Sequence, residues 1–110
     1  ESKSELEKNL ETYRENRKLL LAALPEMGFN NIAPPDGAFY LYIDISEFSS
    51  DSYDFTIKML NVGGVAITPG IDFDPIKGKS KIRISYARST PEILKGIERM
   101  RIFMDKKKYL

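Results

Sequence analysis

Arg83 is the side chain in this sequence whose type and setting best suit chemistry, and it lies in the stretch KIRISYA, residues 81–87. Ile82, Ile84 and Tyr86 alternate there with more polar neighbours, which is the period of a β-strand with one buried face. Arg83 is therefore predicted on the other face. A guanidinium is a permanent cation whose parallel N–H donors match the two oxygens of a carboxylate. The pattern alone leaves two interpretations open: an ordinary solvated strand residue, or a cation that grips an anion.

The remaining residue types argue against a complete catalytic centre. The sequence has no cysteine and no histidine, which excludes disulfides, thiolate catalysis, Cys-bound zinc and the usual general base near neutral pH. Asp72 and Asp74 are spaced like the start of a calcium loop, but Arg83 stands where the bidentate glutamate is required. The glycine-rich stretch GGVAITPG fits neither the phosphate-loop nor the dinucleotide pattern. We therefore predict no metal site and no catalytic residue in this chain.

The composition is that of one globular domain spanning residues 1–110. The chain has 110 residues, is 42% hydrophobic and carries a net charge of +1. This balance gives no electrostatic reason to expect nucleic acid or an anionic membrane as a partner. No apolar run approaches the roughly 20 residues of a membrane span, so a cytoplasmic location is expected. Because the chain begins at Glu1 rather than at a methionine, we expect it to be a piece of a longer protein.

The helices and strands that must position Arg83 can be predicted from the spacing of apolar residues and from the residues that begin and end each element. Residues 2–24 have helical spacing and end at Pro25 and Gly28. Residues 38–45 are apolar on both faces, which predicts a central, well-covered strand. A second helix is capped by one of residues 50–52, and strands follow at 65–68 and 81–87 around a polar loop. The side chains predicted to face the core from the three helices are Leu6, Leu10, Tyr13, Leu20, Leu24, Phe55, Met59, Leu60, Ile93, Leu94, Ile97, Met100 and Met104.

Thr90 is predicted to cap the last helix, with Pro91 at its first position. The order of elements is then helix, strand, helix, strand, strand, helix. This order predicts an α+β fold in two layers, in which a small, mainly antiparallel sheet is covered on one face by helices.

Three segments taken together resemble the C-terminal small domain of class I/II aminotransferases, which are fold-type-I enzymes that use pyridoxal 5′-phosphate (PLP). They are PPDGAFYLYIDI, GVAITPGIDFD and KIRISYARSTPEILKGIERM. YRENRKLLLAAL, residues 13–24, also resembles the long interdomain helix of that family, although Asn16 interrupts the usual charged pattern and Lys18 stands where an acid is common. The resemblance covers essentially the whole chain.

The resemblance implies a role for Arg83, since in the family the arginine of this strand receives the α-carboxylate of the amino- or keto-acid substrate. Gly37 falls in the turn that faces the active-site mouth in relatives, where substrate approaches the backbone; an ordinary turn glycine is the alternative. Phe39 and Tyr40 correspond to positions that help to line the cleft, with core packing expected for at least one of them.

Two further positions are expected to be structural. Pro69-Gly70 would shape the loop after the short strand. Arg88 fits a surface or helix-capping residue better than a second carboxylate clamp.

The resemblance also implies what the chain lacks. The lysine that forms a Schiff base with PLP, the aspartate that pairs with the pyridinium nitrogen and the glycine-rich phosphate cup have no counterparts here, and they would belong to a large domain preceding Glu1. The chain is thus predicted to be a small-domain fragment that acts as a lid, binds no PLP itself and is catalytically incomplete alone. Residues 1–28 would connect it to the large domain. The full-length enzyme is expected to be a homodimer acting on an amino acid and a 2-oxo acid.

Two alternatives remain open at this point. One is a stand-alone α+β ligand-binding or regulatory module, because fold does not settle function. The other is the small domain of a different fold-type-I PLP enzyme, such as a C–S lyase, decarboxylase or synthase. Capture of an α-carboxylate by arginine serves several of these reactions, so Arg83 does not separate them.

Overall fold

The computed structural model describes residues 2–33, 39–63, 67–72 and 74–108. Gly37 with the turn around it, residues 64–66 and the side chain of Leu60 lie outside this description. The described helices are α1 (Ser2–Glu26), α2 (Ser52–Gly63) and α3 (Thr90–Lys108), and the described strands are β1 (Tyr40–Asp44), β2 (Thr68–Pro69) and β3 (Lys81–Ser85). Short 3-10 turns at Gly70–Asp72 and Gly78–Ser80 occupy the predicted loop between β2 and β3.

The three strands form one antiparallel sheet in the order β1-β3-β2. β1 pairs with β3 from Tyr40 opposite Ser85 to Asp44 opposite Lys81. β2 pairs with the other edge of β3, with Thr68 opposite Arg83. The arrangement confirms the predicted α+β class and the antiparallel sheet, and it makes β3 the central strand.

One face of the sheet supplies the core. Leu41 and Ile43 of β1 and Ile82 and Ile84 of β3 are almost completely buried. The helices cover them with a single cluster of apolar side chains, which includes Leu20, Leu24, Phe55, Met59, Ile93, Ile97, Met100, Phe103 and Met104. The helices therefore lie on one side of the sheet, and burial alternates along both β1 and β3. This confirms the predicted alternation of Ile82, Ile84 and Tyr86 against Arg83.

Helix α1 ends as its sequence predicts. Gly28 has a φ of +101°, a backbone conformation that glycine adopts without the Cβ penalty of other residues. Its N–H donates to the Pro25 carbonyl and the Phe29 N–H donates to the Leu24 carbonyl, both at 3.0 Å. These bonds satisfy carbonyls at the helix end and turn Phe29 into the core, where it is fully buried.

The position predicted for β1 in the sheet is wrong. β1 is an edge strand, and its outer side makes a single-residue bridge between Ile32 and Ile43 in the described part of the chain. Among the described residues no helix covers its second face, where Tyr40, Tyr42 and Asp44 are only half-buried. The aromatic rings of Tyr40 and Tyr42 made that face look apolar in the sequence.

Three side chains of the helices also differ from their predictions. Leu6 is 57% exposed and Leu94 is 50% exposed, so neither belongs to the core. Thr90 is not the cap of α3, because Ser89 takes that role with Glu92. The Ser89 N–H donates to Glu92 Oε1 at 3.1 Å, and the Glu92 N–H faces Ser89 Oγ at 3.4 Å. This reciprocal pair is a capping box, and it places Pro91 one position further into the helix than predicted.

Candidate functional site

The sheet face away from the helices carries the candidate site. We call it the open face and define it by Tyr40, Tyr42, Asp44, Thr68, Lys81, Arg83 and Ser85. All of these side chains are half-buried, and they alternate with the core residues along β1 and β3. Strand positions hold their side chains rigidly, so the open face presents a fixed arrangement of groups.

Arg83 lies at the centre of the open face. It sits on the middle strand, directly opposite Tyr42 of β1 and Thr68 of β2. Its guanidinium carbon is 4.6 Å from the ring centroid of Tyr40, which is the diagonal neighbour on β1. A cation over an aromatic face is attracted to it and is held in one orientation, so the donors of Arg83 are directed by the Tyr40 ring.

Lys81 is the other cation among the open-face side chains, and its environment differs. Its Nζ lies 3.5 Å from Asp44 Oδ2 and 5.6 Å from the ring centroid of Tyr42. Hydrogen bonds from Ser46, followed by the charge of Lys81, lower the pKa of the Asp44 carboxyl below its ordinary value. Asp44 therefore stays ionised near neutral pH and balances Lys81 locally.

Tyr42 lies between these groups and stays protonated. Burial raises the pKa of its phenol above the ordinary value, and the negative charges of Asp74 and Asp44 add to this effect. A neutral phenol next to Arg83 can donate a hydrogen bond, and it carries no negative charge that would compete with an incoming anion for the guanidinium.

Phe39 and Tyr40 separate into different environments. Phe39 is 43% exposed and packs against Tyr13 of α1 and Tyr86, with ring centroids 5.3 Å and 6.2 Å apart. Its carbonyl accepts the Tyr86 N–H at 2.9 Å. Phe39 thus joins α1 to the end of β3, whereas Tyr40 lies on the open face beside Arg83.

The other predicted positions have structural surroundings. A Cβ on Gly70 would lie 2.7 Å from the carbonyl oxygens of Gly78 and Lys81, so this glycine allows two backbone segments to cross closely. Arg88 is exposed and lies 4.0 Å from Glu92 in the first turn of α3, as expected for a surface residue near a helix cap. Gly37 lies outside the described residues.

Sequence analysis missed Asn16 as a structural centre. Asn16 is completely buried, although it lies in the middle of a helix that is mostly charged. Its amide donates to the carbonyls of Tyr86 and Arg88, at 3.0 Å and 2.6 Å, and its oxygen accepts the Thr90 hydroxyl at 2.8 Å. The available signal in the sequence was the departure of Asn16 from the charged pattern of the helix.

A cleft of about 260 Å³ lies on the other side of the sheet, between α1, the end of β3 and α3. It is lined by apolar residues such as Leu20 and Ile84 and by Arg88, Lys95 and Arg99. Arg83 does not line it. A ligand on the open face would therefore meet solvent on its outer side, unless a body beyond the described residues covers it.

Comparison with known proteins points to one family. Residues 1–100 match the family model described as "Aminotransferase class I and II". The chain is 47% identical over 100 residues to a valine–pyruvate aminotransferase of Mycobacterium tuberculosis, covering 91% of this chain and 26% of that protein.

Solved structures give the same result. A crystal structure of a candidate aminotransferase from Silicibacter pomeroyi superposes with a TM-score of 0.91 and 50% identity, over 94% of this chain and 28% of that one. An aspartate aminotransferase from Thermus thermophilus, solved with maleate, superposes with a TM-score of 0.77 and 35% identity, over 92% of this chain and 25% of that one. The chain thus spans only about a quarter of the length of the proteins that it matches.

Proposed function

The chain belongs to the class I and II aminotransferase family, and from this premise we propose that it is the small domain of a PLP-dependent aminotransferase. In this proposal Arg83 binds the α-carboxylate of the substrate, and the domain acts as the lid of an active site that lies mainly in a larger domain. The observation that carries the proposal is the position of Arg83 at the centre of the open face, with its guanidinium over the Tyr40 ring at 4.6 Å.

The chemistry of the open face supports carboxylate binding. A carboxylate can accept parallel N–H bonds from a guanidinium, and such charge-assisted bonds are roughly twice as strong as neutral ones. Tyr40 holds the guanidinium plane and Tyr42 adds a neutral phenol beside it. The Thermus thermophilus relative was solved with maleate, a dicarboxylate, which agrees with this ligand class.

The described residues do not fit PLP. The cofactor needs a lysine amine in an enclosed site beside a phosphate-binding group. Among the lysines whose side chains are described, Lys81 alone is half-buried, and its amine faces Asp44. We therefore assign PLP binding to the larger domain and expect the chain alone to be inactive. When bound there, PLP would supply the electron sink for amino-group transfer.

A lid role accounts for the uncovered parts of the chain. Within the described residues, the open face holds two cations and two aromatic rings with no helix layer above them. Binding of an anion is much stronger where water is excluded. Residues 4–9 of α1 are all exposed, and Leu6 is 57% exposed. We propose that residues 1–28 connect to the larger domain and that this domain covers the open face when substrate binds. Gly37 would then lie at the mouth of the site.

The family match argues against the alternative of a module unrelated to enzymes. Within the family, the relatives named above are aminotransferases, which favours transamination over lyase, decarboxylase or synthase activity. The substrates would be an amino acid and a 2-oxo acid, and we propose a cytoplasmic homodimer as the form of the complete enzyme. In the described part of the chain, no helix has the length and apolar character needed to cross a bilayer.

The test is Arg83→Lys in the complete gene product. Lysine keeps the charge but loses the paired donors, so kcat/KM for amino-acid substrates should fall on the order of 10- to 100-fold. The affinity for PLP, followed by absorbance of the bound cofactor, should change less than about two-fold.

Lys81→Gln is the matched control, because it removes the other cation among the open-face side chains, which already faces Asp44. It should leave kcat/KM nearly unchanged. An equal loss of substrate and PLP affinity in Arg83→Lys, or an equal effect of both substitutions on kcat/KM, would refute the assignment of Arg83.

A further inference from the structure

We infer that Asn16 is a positioning residue for Arg83, because its side chain ties helix α1 to the segment that follows the arginine-bearing strand. The inference rests on the proposed function, since it concerns how the proposed carboxylate site is held. Asn16 itself contacts no substrate in this view; it acts through the backbone of residues 86–90.

The first argument is the pair of hydrogen bonds that Asn16 makes to the backbone between β3 and α3. After Ser85 the chain leaves the sheet, and α3 begins only at Thr90. The Tyr86 N–H donates to the Phe39 carbonyl, and the carbonyls of Tyr86 and Arg88 lie on the segment between β3 and α3. Asn16 supplies two N–H donors to these carbonyls, at 3.0 Å and 2.6 Å. The bond to the Tyr86 carbonyl is buried, so it helps to fix the path of this segment.

The second argument is the distance along the chain that the contact spans. Asn16 and Thr90 are separated by 74 residues, and their side chains are joined by the 2.8 Å bond from the Thr90 hydroxyl. The contact therefore joins the first helix of the chain to the start of the last. Between them lies β3, whose Arg83 is three residues before the Tyr86 carbonyl that Asn16 holds.

The third argument is the proposed role of α1 as the connector to the larger domain. A connector that is hydrogen-bonded to the end of β3 moves with that strand rather than past it. Packing of Tyr13 on Phe39, which itself pairs with Tyr86, reinforces the same junction. The position of the Arg83 guanidinium relative to the larger domain is then set by α1 through Asn16.

The test uses Thr90→Val in the complete gene product, because it removes one bond to Asn16 while keeping nearly the same shape. The readout is the carboxylate preference: kcat/KM for an α-amino acid divided by kcat/KM for the matched amine that lacks the carboxylate. Loss of one bond should reduce this preference on the order of five-fold. Thr90→Ser, which keeps the hydroxyl, should restore it.

The double variant Thr90→Val/Arg83→Lys decides whether the effect passes through Arg83. If it does, Thr90→Val causes no further reduction of the preference once Arg83 is replaced. Ser52→Ala is the matched control, because it removes a buried 2.7 Å bond from Ser52 Oγ to the Gly78 carbonyl, at the opposite end of β3. It should reduce thermal stability but leave the preference within about two-fold of the parent.

Two results would overturn the inference. If Thr90→Val lowers thermal stability as Ser52→Ala does and leaves the preference unchanged, Asn16 has a structural role alone and the proposed function stands. If Arg83→Lys itself leaves the preference unchanged, the proposed carboxylate site is wrong and the positioning role is lost with it.

Discussion

Replacement of Asn16 by leucine is expected to be among the most destabilising single changes in the chain. Leucine fits a helix well and has the same branching of side-chain heavy atoms, so the hydrogen bonds are lost outright, and its larger methyl groups add to the cost at a fully buried position. The buried bond to the Tyr86 carbonyl would be lost, which costs about 1–3 kcal/mol. The Arg88 carbonyl and the Thr90 hydroxyl are nearer to water, and their bonds contribute about 0.5–1.5 kcal/mol each. The total is about 2–6 kcal/mol.

The assay is equilibrium unfolding in urea, followed by circular dichroism. Domains of this size have a total unfolding free energy of about 5–15 kcal/mol, so a loss of this magnitude moves the midpoint by roughly 1 M or more. The slope of the transition should not change, because the native surface stays the same. Thr90→Val, which removes one of the bonds, should cost about 0.5–1.5 kcal/mol.

Ser52→Ala provides the comparison for a single buried hydrogen bond elsewhere in the fold and should cost about 1 kcal/mol. If Asn16→Leu costs no more than Ser52→Ala, the carbonyls of residues 86 and 88 find other partners in the variant. The view of Asn16 as the link between α1 and the end of β3 would then be wrong.

Two further predictions concern glycine and the helix cap. Gly78→Ala should destabilise the fold strongly, because a Cβ there would overlap the Gly70 carbonyl. Gly96→Ala places a Cβ that meets nothing within 4 Å, so it should stabilise α3 by about 0.5–1 kcal/mol. Thermal unfolding of the two variants should show a lower melting temperature for the first and a higher one for the second. Hydrogen bonds from Ser89 lower the pKa of the Glu92 carboxyl below 4.5, so its contribution to stability is present above that pH and is lost as the pH falls through the lowered value. Glu92→Gln should therefore lose less stability than the parent between about pH 5 and pH 3, and an identical acid dependence would contradict the role of the cap.

The pattern of β3 was readable from sequence because the signal is local. Alternation of Ile82 and Ile84 with Arg83 follows directly from the strand period, and the structure places these residues as the period requires. The capping of α3 was harder, because Ser89 and Thr90 are adjacent and both can cap a helix. The contact that decides between them is distant in sequence. The Thr90 hydroxyl donates to the Asn16 side-chain oxygen, and this leaves Ser89 to pair with Glu92. No local pattern contains that information.

The position of β1 was misjudged for a physical reason that also bears on function. Tyr40 and Tyr42 are aromatic, and a strand that is apolar on both faces is typical of burial on both. In the described part of the chain the helices cover only one of these faces. On the other face the Tyr40 ring nevertheless makes a specific contact, since it lies against the Arg83 guanidinium. The sequence pattern predicts a cover on both faces of β1, and the described residues provide one of them.

A second covering is what the proposed function requires. Guanidinium and carboxylate attract each other weakly in water, and strongly where solvent is excluded and the donors are already oriented. The Tyr40 ring provides the orientation within this chain, but the open face leaves the outer side of Arg83 to be covered from elsewhere. The chain spans about a quarter of the length of its aminotransferase relatives, and the proposal assigns that cover to a larger domain. In the proposed function the open face with its oriented cation is half of a binding site, and we predict that its affinity for carboxylates appears only when the proposed larger domain closes over it.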